Sequence, residues 1–240
     1  MIFNKPEKLP KKITPCPIAE AIVELRFDSK GPSEALIGIV YERFKDKYPD
    51  FSSLPITRLP SDLINSQLNL QFAPYYKFKN DDFIFQLGPK CFSIVCPKDY
   101  NGWGSYLNEI NWVFEQINDL NIVEKPLSLG VRYINFFERQ DVFEHIKIDL
   151  ALSGNSLIKN VNTLQTEFDY ENFHCAMRIT NNSLYDGVTK GSSIDIDLIS
   201  DQNLSASNYE NIIVAAHAME KKCFFGILKD EFLQQLNPEY

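Results

Sequence analysis

The chain predicts an α+β fold in which an antiparallel sheet is covered by long helices. Apolar residues alternate with period two in both halves, and two long stripes repeat at three and four. The order strand, helix, three strands, helix in the first half is echoed in the second. Two strands anchor the echo, Ile18–Phe27 and Leu127–Glu138, each carrying an arginine. Two β-α-β-β-β-α half-repeats, 18–121 and 127–227, sharing one sheet would account for it. Identity between the halves is low, so a coincidence of order stays open.

Residues 1–17 hold four prolines and read as an extended arm ahead of one α+β domain, 18–240. Ala19, Ala21, Val23, Leu25 and Phe27 alternate with Glu20, Glu24 and Arg26, the pattern of a half-buried strand. Ser33 can cap a helix with the stripe Leu36, Ile37, Val40, Tyr41, Phe44 and Tyr48, stopped by Pro49. Leu68, Leu70 and Phe72 alternate as a strand. Phe83, Phe85 and Leu87 form another, and after a Gly88–Lys90 turn Phe92, Ile94 and Cys96 return. Trp103, Tyr106, Leu107, Ile110, Val113, Phe114, Ile117 and Leu120 mark the strongest helix.

The second half opens with Leu127, Leu129, Val131, Tyr133, Asn135 and Phe137 on one strand face. Asp141 and Glu144 have capping-box spacing before a short helix, after which His145–Leu152 turns strand-like. Leu164–Tyr170 and Phe173–Ile179 form a hairpin, Gly187 and Gly191 lie in a loop, and Ile194, Ile196 and Leu198 alternate with Asp195 and Asp197. Ser207 and Glu210 form another capping box before a helix that Gly226 ends, and Asp230–Leu236 is a short amphipathic piece.

The 240 residues are 44% hydrophobic with net charge -8, which allows a sizeable core and argues against a general nucleic-acid surface. The one basic cluster, Lys5, Lys8, Lys11 and Lys12, lies among prolines and reads as a mobile arm. Cys16, Cys91, Cys96, Cys175 and Cys223 show no C-x-x-C spacing, which suits a reduced, cytoplasmic protein using thiols as small apolar groups. The first residues lack the apolar stretch of a signal peptide, and no run of about 18 apolar residues exists, so no membrane span is expected.

No phosphate-cradling glycine loop, nucleophile elbow or H-E-x-x-H is present. His145, His174 and His217 fall on separate elements. No catalytic residue, metal or cofactor is therefore expected. Asp195 and Asp197, with Asp201 beyond, read as a solvent-facing strand whose charges discourage edge pairing. The remaining constellation is Glu20, Glu24, Arg132, Tyr133 and Asn135: Arg132 can pair with Glu20 or Glu24 across the sheet, and Asn135, on an apolar face, needs hydrogen-bond partners.

Pro17–Phe27 (PIAEAIVELRF) and Gly130–Phe137 (GVRYINFF), with an aromatic-rich C-terminus, resemble a sporadically distributed bacterial family of conserved hypothetical proteins. The matching positions are Pro17, Ile18, Glu20, Ala21, Arg132, Tyr133 and Asn135. The resemblance implies no established activity and no catalytic residues. A patchy distribution implies genes on mobile elements, including anti-phage and toxin–antitoxin cassettes.

The reading that follows is a non-enzymatic protein-interaction component of such a system, its partner another protein or a second copy. The alternative is a small-ligand-binding or enzymatic domain with a pocket between the sheet and helix 103–120, where Tyr133, Asn135 and Arg178 would converge.

Overall fold

A computed structural model describes residues 8–156 and 162–240. In chain order the elements are β1 (Ile18–Ser29), α1 (Ser33–Phe44), β2 (Asp50–Ser53), α2 (Ser61–Ser66), α3 (Leu68–Gln71), β3 (Tyr76–Lys79), β4 (Ile84–Leu87), β5 (Cys91–Cys96) and α4 (Trp103–Leu120). There follow β6 (Val123–Glu138), β7 (Ala151–Leu152), β8 (Asn155–Ser156), β9 (Thr163–Tyr170), β10 (Phe173–Tyr185), β11 (Thr189–Ser200), α5 (Tyr209–Ile227) and α6 (Asp230–Gln235). Nine strands form one sheet in the order β2-β3-β4-β5-β1-β6-β11-β10-β9, and β7 pairs only with β8. The fold is α+β. Beside β1 lies β5 and beside β6 lies β11, and from each the strands run outward in falling sequence order.

The chain groups into two compact units that differ from the sequence halves. One comprises Met1–Glu20, Arg132–Leu198 and Val214–Tyr240; the other comprises Ala21–Val131 and Ile199–Ile213. Each has its own core.

In the Ala21–Val131 unit, α1 buries Leu36, Val40 and Phe44 at helical spacing, and Phe44 stacks on Phe85 at 4.3 Å. Helix α4 starts after Gly102, whose φ of 95° favours glycine, and closes on Asn121 in the left-handed region. It buries Tyr106, Ile110, Val113 and Ile117. The Tyr106 hydroxyl is shared between the carbonyls of Ile94 (2.7 Å) and Ala21 (3.0 Å), pinning the helix to the sheet. Buried Glu109 accepts hydrogen bonds from the Tyr48 hydroxyl at 2.5 Å and Lys47 Nζ at 2.6 Å. That ammonium also sits 3.8 Å from the Trp112 ring centre.

In the other unit, Phe137 packs on Phe224 (6.5 Å) and Phe232 (5.6 Å), joining β6 to α5 and α6. Ser192 Oγ accepts from the Val142 N–H at 3.2 Å and lies 2.5 Å from the Gln140 carbonyl, fastening the turn after β6.

Several local expectations need correction. Residues 68–72 form a single helical turn, and the strand is instead Tyr76–Lys79. Leu68 and Phe72 are four apart, a spacing that suits a helix as well as alternation, and Leu68 stays exposed. Pro32, not Ser33, occupies the cap position of α1. The segment 145–152 makes one bridge, Ile146 to Leu228, and is a strand only at Ala151–Leu152. Gly191 lies inside β11, and α5 continues through Gly226 to Ile227. The arm is tied down from Lys11: the Lys11 N–H donates to the Glu239 carbonyl (2.6 Å), the Thr14 N–H to that of Leu236 (2.7 Å), and Ile13 is buried. Lys5 lies outside the described residues.

Candidate functional site

The polar residues singled out from sequence divide between the two faces of β1 and β6, because successive strand side chains point to opposite faces. On the face away from the core, Arg132 makes a two-pronged ion pair with Asp195: Nε to Oδ1 at 2.7 Å and Nη2 to Oδ2 at 2.6 Å. This differs from the expected pairing with Glu20 or Glu24. Strand β11 lies beside β6 in the sheet, so its aspartate meets the guanidinium in the geometry that a fork favours. Asp195 is therefore only 15% exposed and structural, not the solvent-facing edge charge expected of it, since β11 is an interior strand. Glu20 is half-buried; burial pushes its carboxyl upward, Arg132 draws it down, and Asp186 and Asp195 raise it. Glu24 accepts instead from Arg26 Nε, two residues along its own strand, at 2.7 Å.

On the core face, Tyr133 packs against His217 with ring centres 5.5 Å apart. Four residues along β6, Phe137 packs against Phe224. Asn135 is 2% exposed, and its Nδ2 has no hydrogen-bond partner, contrary to the satisfied amide expected. Glu220 is 4% exposed, and burial pushes its carboxyl up to about 8. Burial and Lys221 push His217 down to about 4. Both groups are held neutral at pH 7, which suits an apolar layer. Arg178 does not converge here: it is exposed on the opposite face of β10 and donates to Gln165 Oε1 at 3.1 Å.

Sequence reasoning treated each histidine alone and so missed the packing of His217 on Tyr133 and the burial of Glu220. The signal was present. His217 and Glu220 each lie four residues beyond an apolar stripe position, Ile213 and Ala216. Cys175 and Cys223 meet inside the same unit, where the contact and burial push the Cys223 thiol up. Among the described residues, no group of three or more His, Cys, Asp or Glu is arranged to hold a metal.

A cleft of about 180 Å³ opens in the Ala21–Val131 unit beside the second half of α4. Leu25, Phe92, Phe114 and Ile117 form apolar walls, with Tyr209 across from them and Asn118, Asn121, Glu124 and Ser205 at the rim.

No protein-family model and no curated protein matches this chain.

The sheet ends in two unlike edges. At one, β2 is four residues long, between Pro49 and Pro55, and so offers little to a further strand. At the other, β9 pairs along all eight residues with β10, from Thr163–Thr180 to Tyr170–Phe173, and no described strand lies on its far side. It contains no proline, lysine or arginine. One face carries Gln165, Glu167 and Asp169; the other carries Leu164, Phe168 and Tyr170, all half-buried. His174 Nδ1 lies 3.0 Å from Asp169 Oδ1, and its pKa is raised by that bond. No described helix is long and apolar enough to cross a membrane.

Proposed function

We propose that the protein is a non-enzymatic interaction module that receives an extended segment of another protein along β9. The observation that carries this is the length of that edge strand, on whose far side no described strand lies, since a long outer strand is a template for a further one. The acidic face selects basic residues at alternate positions of the incoming strand, and the half-buried face selects apolar ones. A second copy continuing the sheet with the same face up would bring Glu167 and Asp169 near their own equivalents, so the partner is a different chain. The family resemblance adds a setting, a bacterial defence or toxin–antitoxin type system in the cytoplasm.

The test uses the whole chain. A synthetic peptide alternating lysine and valine should slow amide hydrogen exchange across Thr163–Tyr170, while one alternating glutamate and valine should not. The Glu167→Lys, Asp169→Lys double variant, altered only at exposed positions, should reverse that preference. Equal protection by both peptides, or none by either, refutes the proposal. Affinity purification from the native host, wild type beside the double variant, then identifies the partner as the protein lost on charge reversal.

A further inference from the structure

The cleft beside α4 is independent of the β9 edge, and its lining has a chemistry of its own. Three aromatic rings run through it in sequence. Phe92 and Phe114 have centres 5.1 Å apart at 70°, and Phe114 and Tyr209 have centres 5.1 Å apart at 58°. Phe92 is fully buried and backs the cleft, so the rings within reach of a bound body are those of Phe114 and Tyr209, both half-buried and tilted by 58°. The face of an aromatic ring is its negative region, and it attracts a cation whose hydration shell is weak enough to be shed. Glu124 is the only ionised side chain among the lining residues; the other polar ones, Asn118, Asn121 and Ser205, are neutral. The nearby Lys30 ammonium is engaged with Asn121 Oδ1 at 2.6 Å and is not itself part of the lining. A simple ammonium ion holds its water too firmly to enter such a corner. A methylated one is both apolar and charged, so it suits the rings and the carboxylate together. The volume of about 180 Å³ admits a small head group but not a drug-sized ligand, which requires roughly 300–1,000 Å³.

We propose that this cleft binds a methylated ammonium group, seated against Phe114 and Tyr209 with Glu124 as its counter-ion. The same chemistry is carried by a free choline-like molecule and by a methylated lysine side chain.

The experiment titrates the full chain with choline, with its uncharged carbon isostere 3,3-dimethylbutan-1-ol, and with a peptide containing trimethyl-lysine. Binding is followed by calorimetry and by Phe and Tyr ring resonances. Choline should bind saturably and the neutral isostere about tenfold more weakly, the difference that a desolvated cation–π contact makes. Tyr209→Leu should weaken choline by about tenfold while Tyr209→Phe leaves it near wild type. Glu124→Gln, at an exposed rim position, should also weaken it without touching the core. Tighter binding of the peptide than of choline assigns the group to a protein partner, and the reverse assigns it to a free molecule. Equal binding of choline and its isostere, or no saturable binding of either cation at millimolar concentration, overturns the proposal.

Discussion

Replacing Glu220 by glutamine should change how stability depends on pH, because this carboxyl is buried on α5 and held neutral there. Its pKa is about 8 in the folded chain against an ordinary 4.5. Between those values the folded state holds a proton that the unfolded state has released. Stability therefore falls as pH rises, by about 1.4 kcal/mol per pH unit and about 5 kcal/mol over the whole interval. His217 works in the opposite sense. Its pKa falls from 6.5 to about 4, so below 6.5 the unfolded chain holds the extra proton and stability rises with pH. The two slopes cancel between about 4.5 and 6.5, leaving Glu220 unopposed from 6.5 to 8, where the wild type should lose about 2 kcal/mol. Glu220→Gln keeps the shape and a hydrogen-bonding amide but removes the titration. Urea unfolding at closely spaced pH values should show the variant level above pH 6.5 and rising below it. Lys221 and Cys223 also influence Glu220 electrostatically, and both are retained in the variant. Parallel pH profiles for wild type and variant would refute the reasoning.

Tyr48→Phe should destabilise by about 1.5–3 kcal/mol, the usual worth of a buried hydrogen bond to a charged group, because the Tyr48 hydroxyl donates to buried Glu109. Urea midpoints at pH 7 measure it, and a loss under half a kcal/mol would contradict the assignment. Under native conditions a thiol-reactive chromophore should titrate Cys16, which is exposed, and reach Cys91, Cys96, Cys175 and Cys223 only after unfolding. Rapid reaction of a second thiol would show one of those four to be accessible.

The elements with strict periodicity were legible in the sequence, and those with mixed signals were not. Strands β1, β6, β10 and β11 and helix α4 bury one face each, so alternation or a 3.6-residue stripe is written into them. The stretch 68–72 was not legible, because five residues satisfy both periods and only the sheet neighbours of Tyr76–Lys79 decide between them. Partner choice was also hidden. Arg132 could be seen to need a carboxylate, but three strands offered one, and the order in which β11 joins β6 is not a local property. Glu220 escaped notice for a different reason. On a helix a glutamate is presumed to face water, and only its place on the stripe of Ala216 and Cys223 contradicts that presumption.

The segment that carries the family resemblance is accounted for almost residue by residue by packing. Arg132 is committed to Asp195, Tyr133 to His217, and Phe137 to Phe224 and Phe232, while Phe136 covers Gly191. A side chain at Gly191 would collide with the Phe137 carbonyl and the Phe136 ring, so only glycine fits that position. These contacts fasten β6 to its neighbours in the sheet and to α5 and α6. Asn135 is buried, and its Nδ2 has no hydrogen-bond partner among the described residues. The edge strand β9 and the cleft beside α4 share no residue with Gly130–Phe137.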